Sequence, residues 1–195
     1  MQYSVFGTYL FSIQPSVFNS LKLLLKSNVA LRIRSKMSMV TISSLQRITA
    51  SKLAEMLLAD THQPSSDGPV AIVDVRDDDH IGGHIKSSLH FPSGSLDATM
   101  PTLLRKLADK EVVVFHCALS QQRGPSAALK YLREKEAAAT SGKLPAEKKA
   151  EDEDKTSNQQ QVYVLDKGFV GWQEVYGPDE RLTEGYRKEL WELGY

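Results

Sequence analysis

Three short runs of apolar and β-branched residues limit the fold most strongly: VAIVDV at 70–75, EVVVFH at 111–116 and VYVLD at 162–166. Each has the length of a single buried strand and falls far short of a membrane span. None shows the strict apolar–polar alternation of a half-solvated sheet, so each is expected to be covered on both faces, as in a parallel sheet. A shorter run, LHF at 89–91, reads as one more strand. The intervals carry helical spacing. Leu96, Met100, Leu103, Leu104 and Leu107 form one stripe, with Pro101 in its early turns, and Ala128, Tyr131 and Leu132 form another. Upstream, Leu53, Met56 and Leu57 predict a helix from Thr49 to Asp60, capped by Thr49 or Ser51. Strands that alternate with helices pair in parallel, which predicts an α/β domain with a mainly parallel central sheet flanked by helices.

The 195 residues suit one such domain with extensions. Residues 1–54 hold no Asp or Glu but seven Lys or Arg, although the whole chain is formally neutral. Residues 1–39 are therefore read as a leader or disordered extension. Their acid-poor, serine-containing make-up fits a dispensable leader or a mitochondrial presequence. Pro15, Asn19, Lys22 and Lys26 interrupt their apolar stretches, so no membrane span is expected. Zero net charge gives no global pull toward nucleic acid. Residues 136–161 contain almost no large apolar side chain, and a disordered insertion or a frayed helix end is expected there. Leu182, Tyr186, Leu190 and Leu193 predict a C-terminal helix within 177–195. A lone cysteine, Cys117, excludes an internal disulfide and fits a reducing compartment, cytoplasmic or nuclear or both.

That cysteine stands just past the strongest strand, in HCALSQQRGPSAAL, with five residues between it and Arg123 and with Gly124-Pro125 opening a helix. Strand, loop and helix is the arrangement in which parallel sheets hold ligands, beyond the strands' carboxyl ends. A helix start offers unpaired N–H groups and a positive dipole end, and a loop wrapped around it can aim further N–H groups inward. Such a field favours thiolate over thiol, which makes Cys117 a candidate nucleophile. Arg123 supplies a planar fork for two oxygens of an oxyanion. The Ser120 hydroxyl is placed to steady the thiolate as it reforms, and Leu119 is expected to turn toward the core. Ala118, Leu119, Ser120, Gln121, Gln122 and Arg123 form the candidate binding loop.

This loop resembles the active loop of the M-phase inducer phosphatases and the eukaryotic arsenate reductases, both of the rhodanese-like superfamily. IVDVRDDDHIGGHIKSSLHFP resembles the superfamily's D-x-R segment and the G-G-H-I-K that follows it, and KGFVGW at 167–172 resembles its closing G-F-x-x-W. The resemblance spans about residues 45–176 and implies a rhodanese-like three-layer domain. Asp74 and Arg76 of the D-x-R segment, His84 and His116 are read as supporting residues. Asp74 is expected to accept loop N–H groups or to pair with Arg76, and His84 to bond backbone and order the Gly82-Gly83 turn. His116 is read as a buried neighbour of the site, and Gly168, Phe169 and Trp172 as packing residues. No metal is expected: Gly82-Gly83 between His80 and His84 argues against the helix on which a shared metal site would be built.

The departures narrow the chemistry. Simple sulfurtransferases of the superfamily carry a loop one residue shorter, so this length implies phosphate or arsenate. Cell-cycle members hold acidic residues where this chain has Ala118 and Gln122. Their second, protective cysteine is absent, as is the C-terminal zinc cluster of some plant relatives. The first reading is a cysteine-dependent phosphatase of the phosphotyrosine or dual-specificity type, acting through a thiophosphate on a phosphorylated substrate, with Asp77, Asp78 and Asp79 as nearby acids. The second is an arsenate reductase using the same cysteine, with glutathione or glutaredoxin as external reductant. The third is a sulfurtransferase or binding module. None requires a resident cofactor.

Overall fold

The computed structural model describes residues 41–59, 68–141 and 160–194, and these form one compact unit. The leader, the end of the first predicted helix at Asp60, and residues 142–159 lie outside the described residues. After a 3₁₀ turn at Ile42–Ser44 come β1 (Gln46–Ile48), α1 (Ala50–Ala59), β2 (Val70–Asp74), β3 (His84–Ile85) and β4 (Leu89–His90). A second 3₁₀ turn at Ser93–Ser95 leads into α2 (Leu96–Lys106). Then follow β5 (Val112–His116), α3 (Arg123–Thr140), β6 (Gln161–Leu165), α4 (Gly168–Tyr176), β7 (Thr183–Glu184) and α5 (Lys188–Glu192).

Five strands form one parallel sheet in the order β1-β6-β5-β2-β4, and β3 and β7 form a small antiparallel pair. The three apolar runs are its inner strands, which explains their lack of alternation: β5 is buried at every residue. Its side chains divide between two cores. Val113 and Phe115 face α2 and α3, where they meet Met100, Leu103, Ala128 and Tyr131. Val112 and Val114 belong to the core on the other face, with Leu53 and Leu57 of α1 and Phe169 and Trp172 of α4. Period-two geometry sends neighbouring residues to opposite faces, so an apolar run serves two helical layers at once.

Two boundaries differ from expectation. The predicted helix over the last nineteen residues shrinks to α5, and the stretch before it joins the domain. Leu182 is fully buried beneath the second core, β7 pairs with β3, and Gly185 bends the chain at φ +64°. The apolar residues at helical intervals are thus spent on different neighbours, because burying Leu182 requires the turn that a continuous helix would not allow. Both ends of the insertion expected over 136–161 belong to the domain. α3 continues to Thr140, and Gln160 is anchored: its Nε2 donates to the Leu107 and Lys110 carbonyls, both at 2.7 Å, and Tyr131 Oη donates to its Oε1 at 2.7 Å.

Candidate active site

β5 ends at His116, and the chain crosses the carboxyl edge of the sheet through residues 117–122 before α3 begins at Arg123. Cys117 is buried, at 4% exposure, on the α2–α3 side of the sheet. The Ser120 N–H donates to its Sγ at 3.2 Å. Ser120 reaches this position in the left-handed region, at φ +52°, which a serine adopts only where its surroundings enforce it. The donor to Sγ is therefore the Ser120 backbone and not, as expected, its hydroxyl, which is buried without a hydrogen-bond partner. Leu119 is half exposed on the loop's outer rim, contrary to the expected turn toward the core. The core beneath is already filled by Phe115, Ala128 and Tyr131. Gln121 and Gln122 are exposed, and Gln122 precedes α3 without capping it by its side chain.

The loop's carbonyls are held from outside. Phe169 N–H donates to the Cys117 carbonyl at 2.9 Å and Val170 N–H to the Ala118 carbonyl at 3.0 Å. This close approach depends on Gly168 at φ +58°. A Cβ there would lie 2.4 Å from both carbonyl oxygens. The KGFVGW segment thus does more than pack. Phe169 and Trp172 fill the core, as expected, while the first turn of α4 braces the cysteine loop.

Asp74 and Arg76 are both fully buried below the loop. Arg76 Nη2 donates to Asp74 Oδ2 at 2.6 Å and to the Gly83 carbonyl at 2.9 Å, and its backbone N–H donates to Asp74 Oδ1 at 3.1 Å. Burial opposes the charge on Asp74, but His116, His80 and Arg76 outweigh it and hold the carboxyl far below the usual range. Burial likewise lowers the His116 pKa, only partly offset by Asp74, so the imidazole is neutral near pH 7. Its Nε2 lies 3.7 Å from Asp74 Oδ2 and its Nδ1 3.4 Å from the Cys117 carbonyl, which fits a residue beneath the site. His84 does not order the glycine turn. Its Nε2 meets Glu184 Oε2 at 3.1 Å, whereas Arg76 takes the Gly83 carbonyl and the Trp191 indole donates to the Gly82 carbonyl at 2.8 Å.

Arg123 points to a pair the sequence did not reveal. Its Nη1 donates to Asp79 Oδ1 at 2.7 Å and to Asp77 Oδ2 at 3.1 Å, and its Nη2 to Asp79 Oδ2 at 2.5 Å. Asp79 thus occupies the guanidinium fork in the bidentate manner of an oxyanion. Arg123 holds the Asp79 carboxyl below its ordinary pKa, and Ser93 O–H and Gly94 N–H, helped by Arg123, do so for Asp77. Both are ionised in this state, so neither carries the proton a general acid needs. Beside the loop, Leu119, Gln121, Arg47, Lys167, Val170 and Glu174 border an open cleft of about 320 Å³. No cluster of metal-ligating side chains occurs among the described residues.

The rhodanese-like domain model matches residues 57–175. Over 134 residues the chain is 39% identical to the CDC25-like phosphatase YCH1 of Saccharomyces cerevisiae, covering 63% of this chain and 78% of that protein. It is 37% identical over 145 residues to Arsenate reductase 2.1 of Oryza sativa subsp. japonica, covering 72% and 75%. Among solved structures it resembles Ygr203w, described as a yeast protein tyrosine phosphatase of the Rhodanese family. The TM-score is 0.58 at 32% identity, over 78% of this chain and 99% of that one. With its parallel sheet, cysteine loop and D-x-R pair in place, the chain belongs to the rhodanese-like family, on the branch that holds Cdc25-like phosphatases and arsenate reductases.

Proposed function

We propose that the chain is a cysteine-dependent phosphatase of the phosphotyrosine or dual-specificity type. The observation that supports this most is the loop itself: a buried cysteine whose Sγ already accepts a main-chain N–H, at the start of a helix whose first residue is Arg123. An oxyanion entering the loop takes Arg123 from Asp79, exchanging one two-oxygen anion for another. Cys117 Sγ attacks phosphorus, the P–O bond to the leaving group breaks, and the departing oxygen takes the electron pair and is protonated by water. Water then attacks the thiophosphate and the thiolate leaves with the S–P electrons. Arg123 and the loop N–H groups stabilise the equatorial oxygens, so positioning and charge carry most of the rate.

A second reading is favoured by the ionised state of Asp77 and Asp79 and by the absence of any other cysteine. Arsenate fits the same loop and needs no alkoxide or phenoxide to be expelled. Cys117 Sγ displaces a protonated oxygen of arsenate to form an S–As bond. An external thiol, such as that of glutathione or glutaredoxin, then attacks Sγ. The S–As electron pair passes to arsenic, which leaves as arsenite, and a further thiol reduces the mixed disulfide.

Purified protein assayed in parallel on an aryl phosphate and on arsenate with glutathione and glutaredoxin separates the two. Cys117→Ser abolishes turnover in both assays, and turnover retained in a clean preparation refutes the mechanism. Arg123→Lys keeps the charge but loses the fork, and kcat/KM falls about tenfold or more. Unchanged kinetics in that variant remove Arg123 from the site.

A further inference from the structure

We propose that Arg47, on the edge strand β1, is a positioning residue for the oxyanion loop: it holds the Ser120 carbonyl outward and thereby aims the Gln121 N–H at the anion. The inference rests on the oxyanion-loop reading above. A trans peptide is planar, with its C=O and N–H pointing in opposite directions. Whatever takes a loop carbonyl on the outside therefore directs the next residue's N–H to the inside. The first turn of α4 does this for two peptides, taking the Cys117 and Ala118 carbonyls and orienting the Ala118 and Leu119 N–H groups. Further along the loop, the Ser120 carbonyl accepts the Arg47 guanidinium at 3.2 Å.

The position matters because Ser120 is the strained residue of the loop, at φ +52°. Its N–H is turned to Cys117 Sγ and its carbonyl outward to Arg47, so both flanking peptides turn their N–H groups inward. Rotation of the Ser120–Gln121 peptide, through ψ of Ser120 and φ of Gln121, would turn a carbonyl oxygen toward the anion. Arg47 opposes that rotation. It is itself held by Asp166, which lies 3.4 Å from Nη1 just past β6, and the Asp166 N–H bonds the Ile48 carbonyl at 2.8 Å across the β1–β6 pairing. The Arg47–Asp166 pair is neutral, so its part is to aim a dipole and not to add a cation for the anion. Arg47 is 46% exposed at its side chain, so its replacement leaves the core intact.

The test uses the full chain carrying Cys117→Ser, with inorganic arsenate as the probe in titration calorimetry and amide NMR. Adding Arg47→Ala weakens arsenate binding by about tenfold, in keeping with the loss of one hydrogen bond to a charged group. Its melting temperature is unchanged, and the Gln121 amide no longer shifts on arsenate addition. Arg47→Lys, which keeps the charge but not the fork, recovers only part of the affinity. Parent-like affinity in Arg47→Ala overturns the proposal, as does full recovery in Arg47→Lys, which would make the charge alone responsible. A parent that binds no arsenate overturns the loop reading and the brace together. Wild-type protein that turns over neither an aryl phosphate nor arsenate while the parent binds arsenate refutes the proposed reactions alone, and the affinity of Arg47→Ala still decides the brace.

Discussion

Arg123 is contested by the resident carboxylates of Asp79 and Asp77 and by the oxyanion proposed to replace them. The fork geometry suits both, so each anion that binds must displace a contact already made at 2.5 to 2.7 Å. This competition raises the threshold for weakly charged ligands and favours a dianion over a carboxylate. Asp79→Asn removes one competitor and leaves Asp77 in place. The inhibition constants of phosphate and arsenate against aryl phosphate hydrolysis are expected to fall several-fold in that variant. Constants that rise instead would show that Asp79 orients Arg123 for the ligand and does not compete with it.

α4 links the core to the site. Phe169 and Trp172 anchor it in the second core while its first N–H groups hold the cysteine loop, so packing is transmitted directly to loop geometry. Gly168 is the joint. Gly168→Ala places a methyl in a left-handed backbone and 2.4 Å from the Cys117 and Ala118 carbonyl oxygens. The conformational cost alone is about 1 kcal/mol, and the contact forces α4 away from the loop. A fall of several degrees in melting temperature is expected, with a larger fractional loss of kcat/KM than of stability. A variant that melts as wild type and retains full activity would contradict the joint. At the opposite edge of the sheet, Gln160 ties β6 to the Leu107 and Lys110 carbonyls. Gln160→Ala leaves those acceptors without their donor and is expected to cost about 1–3 kcal/mol in chemical denaturation.

At the scale of the whole molecule, titratable groups below and beside the loop tie stability to pH. His116 has a folded pKa lowered from 6.5 by burial, so as pH falls below about 6.5 the unfolded chain takes up a proton that the folded chain does not. Stability therefore declines toward acid by up to about 1.4 kcal/mol per pH unit for this one group. Asp74, Asp77 and Asp79 have pKa values below the ordinary 3.8, and the stability they add above that value is lost as pH falls below it and through their lower folded values. The urea midpoint is expected to drop from pH 7.5 to 5 and more steeply below 4; a midpoint flat to pH 5 would mean that His116 is protonated in the fold. Much of this molecule was legible in the sequence. Unbroken apolar runs can be buried only between two helical layers, and a cysteine between a strand and a Gly-Pro helix start can stand only at the sheet's carboxyl edge. The C-terminal helix is shorter than predicted because Leu182 and Leu193 keep helical spacing while one is buried in the core and the other is exposed, and spacing carries no record of which surface a side chain meets. The partners of the loop were equally hidden. Arg47 lies 73 positions from Ser120, and Asp79 lies 44 from Arg123. Residue types and local periodicity determined the strands, the helices and the reactive loop. Only the tertiary structure decided which carboxylate holds Arg123 and which guanidinium holds the loop, because those contacts join segments that the sheet order, and not the chain order, makes neighbours.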